Sequence, residues 1–454
     1  MVPASAAGYI RVMSTTTPRP TNIRWLVFGL ASSTSWLLYL HRYAFALIKP
    51  KLVEEWQLNE EQLGALDSAF FITYSLFQLP LGIAADVWGV RLVLTAMIVV
   101  WTLGLAMHAG VTSSGQLWYA RATLGLGQSA VYAALTRISR QWFPRSIRTT
   151  LQGLVNVLAG RIGGLSANLL FSTLLIGTLG LDWRNATYVL TGLGVVLAVS
   201  MWLLFRNSPP EHAWTNSAEM ALIADAADNA GPAAATLSIR QMFASLDTRG
   251  LVNLLAINVQ TMLSTIADNI YSNWIPLFLW SVHGLKDREM GLIGALPLLG
   301  GAVAGVLGGM LNDLCLRWTG NRRWSRSGVA LVGKSLAAGL LLVGLIWYES
   351  PYVFCVVLFF VKLFGDWSLT TMTGVITDVG GRATASVYAF NNALAAVGSI
   401  VAPPVIGYLV RHHGWPTVFI AVAVTYALCA LSWLVIDCTI PLVRESSSDD
   451  KATA

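Results

Sequence analysis

Apolar residues come in long blocks along this chain, and polar residues punctuate them. Twelve blocks of roughly 20 residues or more stand at about 24–48, 62–85, 92–111, 116–138, 150–176, 185–205, 250–280, 288–312, 328–347, 352–377, 386–410 and 416–437. Crossing the hydrocarbon core of a bilayer takes about 20 apolar residues in a helix. Backbone in lipid must also satisfy its own hydrogen bonds, which a helix does. Each block is therefore expected to be a transmembrane helix. The longest polar gap, 206–249, lies between the sixth and seventh blocks. The pattern predicts an all-α membrane protein of twelve helices in two six-helix bundles, 24–205 and 250–437. A cytoplasmic linker would join them, with tails at 1–23 and 438–454. Within the gap, SIRQMFASL is expected to form a short surface helix capped by Ser238. The first tail lacks the apolar core of a signal peptide, and Met13 offers an alternative start.

Composition agrees with this reading. Charged residues are 11% of 454, against about 25% in a soluble domain. The net charge of +6 reflects basic loops rather than a nucleic-acid surface. With the N-terminus inside, the cytoplasmic segments hold eighteen of the 29 Lys and Arg residues and the outer segments six. That bias predicts both termini in the cytoplasm of a bacterial-type cell, with the protein in its inner membrane. The other five, Arg42, Arg121, Arg161, Lys334 and Lys362, fall inside apolar blocks. Cys315, Cys355, Cys429 and Cys438 show no metal-binding spacing and are read as reduced. There is no Gly-rich phosphate loop, HExxH or Ser-His-Asp pattern, so neither an ATPase nor a hydrolase is indicated, and no cofactor is expected.

Ionisable residues inside a membrane are costly and mark function. Arg121 sits near the start of the fourth block, and Arg42 lies eight residues before Pro50 in the first. Because the two blocks run in opposite directions, the two guanidiniums are expected at similar depth, with no obvious carboxylate between them. A planar guanidinium fork binds carboxylate or phosphate through two parallel bonds, so the pair reads as an anion site. Gln128 is seven residues past Arg121 and shares its face. Tyr39 and Tyr74 are candidate cavity residues, as are Tyr271 and Asn273 in the seventh block and Asn391 and Asn392 in the eleventh. Asp268 is the best intramembrane carboxylate, able to take a proton or Na⁺ or to neutralise an arginine. Lys362 and Asp366, four apart, would pair with each other. Arg161 is either a further cationic contact or a packing ion, and Lys334 is expected to snorkel to the cytoplasmic interface.

The two halves echo each other. GIAADVWGVR follows the second block and GGMLNDLCLRW the eighth, each with a Gly four residues before an Asp (Gly82 and Asp86; Gly309 and Asp313). The first, with Gly82, Asp86, Gly89 and Arg91, resembles the signature loop of the major facilitator superfamily, although Leu92 stands where a further basic residue is usual. That resemblance implies alternating access and a conformational lock through Asp86 and Arg91 at the cytoplasmic side. The arginine pair, together with WFPRSIR, RNSPPEHAW, YSNWIPLFL and the Asn392-to-Pro403 spacing, resembles the anion:cation symporter family. Its members carry sugar acids, uronates and other small organic anions. The sequence departs from that family at two coupling positions, where His41 and Gln128 replace the usual Asp and Glu. Gln128 cannot titrate, whereas His41 can near neutral pH, so His41 and Asp268 become the coupling candidates for H⁺ or Na⁺. The run R-x-x-F-A-L-x-x-P from Arg42 to Pro50 and the Gln128-to-Arg137 spacing resemble organophosphate:phosphate antiporters instead. A phosphate-ester exchanger is the alternative, and a transporter-like anion sensor a more distant one. A monomer is expected.

Overall fold

The computed structural model describes residues 19–224, 239–244 and 246–442. The alternative start at Met13, the Ser238 cap and the ends of both tails lie outside these residues. Among the described residues the secondary structure is helical throughout.

In the first half, α1 (Ile23–Trp56), α2 (Glu60–Trp88) and α3 (Val90–Gly110) are followed by α4 (Ser114–Gln128) and α5 (Val131–Trp142), which together make the fourth span. The fifth span runs through α6 (Arg145–Gly153), a π-helical stretch at Leu154–Ala159, α7 (Gly160–Ser166) and a second π-helical stretch at Ala167–Thr178; α8 (Trp183–Leu204) is the sixth. The linker holds the short helices α9 (Ser217–Ala224) and α10 (Ile239–Ala244). In the second half, α11 (Thr248–Asn273) breaks at Trp274 into α12 (Ile275–His283). There follow α13 (Asp287–Thr319), α14 (Arg322–Gly344), α15 (Pro351–Gly365) with α16 (Trp367–Gly380), and α17 (Thr384–Val435). Gly414, at φ +79°, kinks α17 into two spans. The twelve expected spans are thus all helical. α1 runs eight residues beyond its predicted end, continuing through Pro50.

Local chemistry sets the helix ends. Asn59 and Gln62 form a reciprocal capping box at the start of α2. Ser113, Asp247 and Asn321 each accept a backbone N–H at the start of the helix that follows. The two repeat loops turn in related ways. Gly89 at φ +86° joins α2 to α3, and Gly320 at φ +63° leads from α13 to α14. A β-carbon at Gly89 would also meet the Asn207 side chain at 2.7 Å, so both conformation and space select glycine there.

Two ends of the bundle can be told apart: a linker end, with Trp88, Leu204 and Thr248, and a far end, with Trp56, Gly110 and His283. The halves meet at the far end. There α2 packs on the first part of α17, and the fifth span packs on α13. Glycines let the backbones touch: a β-carbon on Gly64 would lie 2.6 Å from the Pro403 carbonyl oxygen, and one on Gly291 2.6 Å from that of Asn168. Lys51 pairs with Asp287 at 3.2 Å, and His412 lies 2.9 Å from Glu61 across the same seam. The apolar core of the first half runs through this seam into the second, whereas the linker end of the second half has a separate cluster around Met242, Met372 and Trp433. Along α2, Leu63 to Phe70 are buried apart from Ala65, while Leu76, Leu79, Ile83 and Val87 stand exposed. The molecule is closed at the far end and parted at the linker end.

Candidate functional site

Arg42 and Arg121 do come together, but in different company. The Arg42 side chain is half-buried and ringed by aromatics, its guanidinium carbon 5.0 Å from the Tyr39 ring centre and 4.9 Å from those of Phe70 and Tyr74. Such cation–π contacts hold a cation without neutralising it. Arg42 Nε donates to Gln128 Oε1 at 3.1 Å, and Gln128 Nε2 is anchored on the Leu38 carbonyl at 3.1 Å. Gln128 therefore orients the guanidinium. Arg42 has no carboxylate partner among the described residues, and its Nη2 has no hydrogen-bond partner.

Arg121 differs from the expectation that no acid accompanies it. Its Nη2 donates to Asp67 Oδ1 at 3.0 Å and its Nε to the Leu66 carbonyl at 3.2 Å. Asp67 Oδ2 also receives Lys49 Nζ at 2.6 Å, and the three side chains are almost completely buried. Lys49 Nζ donates in addition to the Asn273 carbonyl of the other half, at 2.7 Å. That bond lands where α11 gives way to α12, next to Trp274, whose ring centre is 4.1 Å from the ammonium. Lys49 falls just past the first apolar block, where the pattern expects an outer loop, and Asp67 is not among the expected site residues. The extension of α1 to Trp56 draws Lys49 two turns inside. One signal was available: Asp67 follows seven residues after Glu60, inside an otherwise apolar run. Phe70 connects the two constellations, since both guanidiniums lie 4.9 Å from its ring centre, so they are no further apart than twice that distance.

A third cluster faces these from the second half. Lys362 bonds Asp366 at 2.7 Å, the expected pair, but also reaches Asp268 at 2.8 Å. Asp268 accepts as well from the Tyr426 hydroxyl at 3.0 Å. Arg161 crosses from the first half to Asp366 at 2.6 Å. Tyr271 lies beside Lys362, its buried hydroxyl without a partner. Asp268 therefore sits within a compensated network. Lys334 does not snorkel: it is fully buried and donates to Ser264 Oγ at 2.8 Å, with the Tyr426 ring 4.8 Å away.

The remaining candidates separate. His41 is completely buried on the opposite side of α1 from the cleft, donating through Nε2 to the Leu190 carbonyl of α8 at 3.0 Å. Asn273 contributes its carbonyl, while its side-chain nitrogen is buried without a partner. Asn391 is held by Thr261 Oγ1 at 3.0 Å and Asn258, whereas Asn392 is exposed. At the linker end Asp86 pairs with Arg137, and Arg91 donates to the Trp202 carbonyl at 2.7 Å, both within the first half. A β-carbon on Gly82 would meet open space, and Asp313 is exposed on α13.

Twelve helical spans among the described residues, in two halves with charged clusters buried between them and one end parted, are the build of a secondary transporter. The Major Facilitator Superfamily profile matches residues 31–258 and 257–452, and the chain belongs to that superfamily. It is a membrane transporter, not an enzyme. It is 27% identical to the probable sulfoacetate transporter SauU of Cupriavidus necator, over 94% of this chain and 96% of that one. The hexuronate transporter of Escherichia coli strain K12 is 26% identical, over 90% and 93%. The probable galactarate/D-glucarate transporter GudP of Bacillus subtilis is 24% identical, over 87% and 88%. Among solved structures, the bacterial homologue of the lysosomal transporter Spinster, in an inward-facing and unoccupied conformation, superimposes with a TM-score of 0.64 at 14% identity, covering 91% of this chain and 95% of that one.

Proposed function

We propose that this chain carries a small organic anion, a sugar acid, uronate or related carboxylate, across the bacterial inner membrane by alternating access, acting as a monomer. The observation that carries the reading is Arg42. It is a guanidinium in an aromatic cage of the first half, oriented by Gln128 and without a carboxylate partner among the described residues. A desolvated cation held ready in this way favours an anion with matching fork geometry. The relatives named above are named for sulfoacetate, hexuronates and sugar diacids, all of which bear carboxylates on short polar skeletons. Tyr39, Tyr74, Tyr271 and Asn392 would read the rest of such a skeleton, with H⁺ or Na⁺ as the driving ion. A phosphate ester would gain from a second uncompensated cation, but Lys362 and Arg161 are each paired with an aspartate.

In this reading the linker end and both termini face the cytoplasm, so the structure is inward-open. Asp86, Arg91 and Asp313 are then waiting to lock the cytoplasmic side in the opposite state. The test is thermal stabilisation of the purified protein by D-galacturonate, D-glucarate and sulfoacetate, with D-galactose and glucose 6-phosphate as comparisons. A ligand at a hundred times its Kd stabilises by about 2.7 kcal/mol. At least one carboxylate should do this in the wild type and fail to do so in Arg42→Gln. Stabilisation by D-galactose alone, or carboxylate binding undiminished in Arg42→Gln, would rule the proposal out.

A further inference from the structure

Lys49 lies seven residues from the far end of α1, Asp67 seven from the start of α2 and Arg121 seven from the start of α4. At a rise of about 1.5 Å per residue, all three sit about 10 Å inside the far end. The cluster has one positive charge in excess, and Arg121 Nη1 is buried with no hydrogen-bond partner. Among the described residues it meets the other half through Lys49, bonded to the Asn273 carbonyl and set over the Trp274 ring. Far-end closure thus involves an ammonium whose burial is made tolerable by ionised Asp67, since a buried charge stripped of its partner is strongly destabilising.

We propose that Asp67 is the proton-coupling carboxylate of this carrier, taking a proton as it yields Arg121 to the carboxylate of the substrate. The assignment rests on the anion-carrier reading above. A carboxylate gripping Arg121 through both Nη atoms needs the Nη2 that Asp67 now occupies. Two ionised carboxylates on one guanidinium repel, and one of them takes a proton. With the far end open, that proton comes from the outer water. After the substrate leaves into the linker-side cleft, Lys49 and Arg121 recapture Asp67, and its proton follows into the same cleft. Charge limits which loaded states can close. The empty cluster and the cluster holding one proton and one monoanion both carry a single excess positive charge. A proton alone would leave two excess charges buried. A monoanion without a proton would set two ionised carboxylates on Arg121, so the expected stoichiometry at this cluster is one proton per carboxylate.

The groups facing Asp67 are few. Lys49 comes from α1 and Arg121 from α4. From α3, His108 stands behind them, bonded through Nδ1 to the Gly104 carbonyl at 2.6 Å, with its ring 5.9 Å from that of Phe45. From the other half, α17 meets α2 beside Asp67 through an uncharged bond, Ser68 to the Ile400 carbonyl at 2.8 Å, and nearer the far end through Glu61 with Arg411 and His412, while the α11–α12 break offers Asn273 and Trp274.

The decisive experiment needs no substrate. Spin labels at Ser114→Cys and His413→Cys, on a cysteine-free background, report the width of the far end. Acidifying from pH 8 to pH 5 should raise the far-open share. Measured in a His412→Gln background, which removes the titratable partner of Glu61 at the same seam, the response should vanish in Asp67→Asn and persist in His108→Gln. If Asp67→Asn does not fold, Lys49→Gln/Asp67→Asn keeps the single excess charge and should be equally insensitive to pH. In vesicles containing a pH dye, a D-galacturonate gradient should move one proton per sugar acid in the wild type. The Asp67 variant should exchange labelled D-galacturonate without moving protons. A full pH response in the Asp67 variants, or none in the wild type, overturns the assignment. If D-galacturonate, D-glucarate and sulfoacetate all fail to move in the wild type while the pH response still depends on Asp67, the sugar-acid reading falls and the Asp67 assignment stands.

Discussion

The glycine seam at the far end should be closed in one state and open in the other, and a single methyl group can test this. A β-carbon on Gly64 would lie 2.6 Å from the Pro403 carbonyl oxygen, 2.9 Å from its carbon and 3.0 Å from Pro404 Cα. Favourable contact begins near 3.5 Å, so the methyl is roughly 0.9 Å too close. All three atoms are backbone and cannot rotate away. Overpacking of this kind costs about 1–3 kcal/mol, which is roughly a five- to 150-fold shift in a two-state equilibrium. The strain exists only while the halves touch, so opening the far end relieves it and leaves the packing within each half intact. Gly64→Ala should therefore raise the far-open share strongly, with little change in Tm. Gly291→Ala, which meets the Asn168 carbonyl oxygen and Thr173 on the other pair of helices, shares no partner with it, so the double variant should show roughly the sum of the two shifts. The label pair on Ser114 and His413 measures the opening. Unchanged distances accompanied by a Tm loss of several degrees would refute the reasoning, because α2 and α17 would then have to stay together throughout the cycle.

Arg121→Lys should fold yet lose most transport, since an ammonium keeps the charge but not the fork; near-normal uptake would show that the guanidinium plane is unimportant. Asp86→Asn removes the partner of Arg137 at the linker end, and turnover should fall while substrate affinity holds, measured by uptake and equilibrium binding on the same preparation. His41→Gln should leave the pH profile of transport unchanged, because the ring is buried against α8; a shifted profile would return His41 to the coupling path.

Much of this molecule was legible in the pattern of residues. Spans announce themselves because lipid demands them, and the twin loops at Gly82–Asp86 and Gly309–Asp313 reveal the repeat. Depth points to Arg42 and the shared face to Gln128 beside Arg121, but Gln128 bonds Arg42 instead. The ion partners were harder to read. Lys49 reads as a loop residue because Pro50 and Lys51 follow it, and only the continuation of α1 through that proline places it inside. Asp67 lies in α2, far in sequence from Arg121, and nothing in a linear reading says which helix faces which. Lys334 failed for the same reason. Snorkelling is the default for a lysine near a helix end, but Ser264 on another helix offers it a bond indoors. Which ionised groups find each other is decided by helix packing, not by periodicity.

The pair between Arg161 and Asp366 has a consequence for how the protein feels the membrane voltage. Arg161 lies midway along the fifth span and Asp366 midway along the tenth. When two rigid bodies tilt against each other, points near the pivot hardly travel, while the ends sweep the furthest. An ionic bond across the pivot can therefore survive the whole swing and act as an axle. Its charges also stay at one depth in the electric field, where displacing an elementary charge across the full membrane takes about 2.3 kcal/mol per 100 mV. This pair therefore adds little to the carrier's sensitivity to potential, which falls instead to the uncompensated charge of Arg42 and of the Lys49–Asp67–Arg121 cluster.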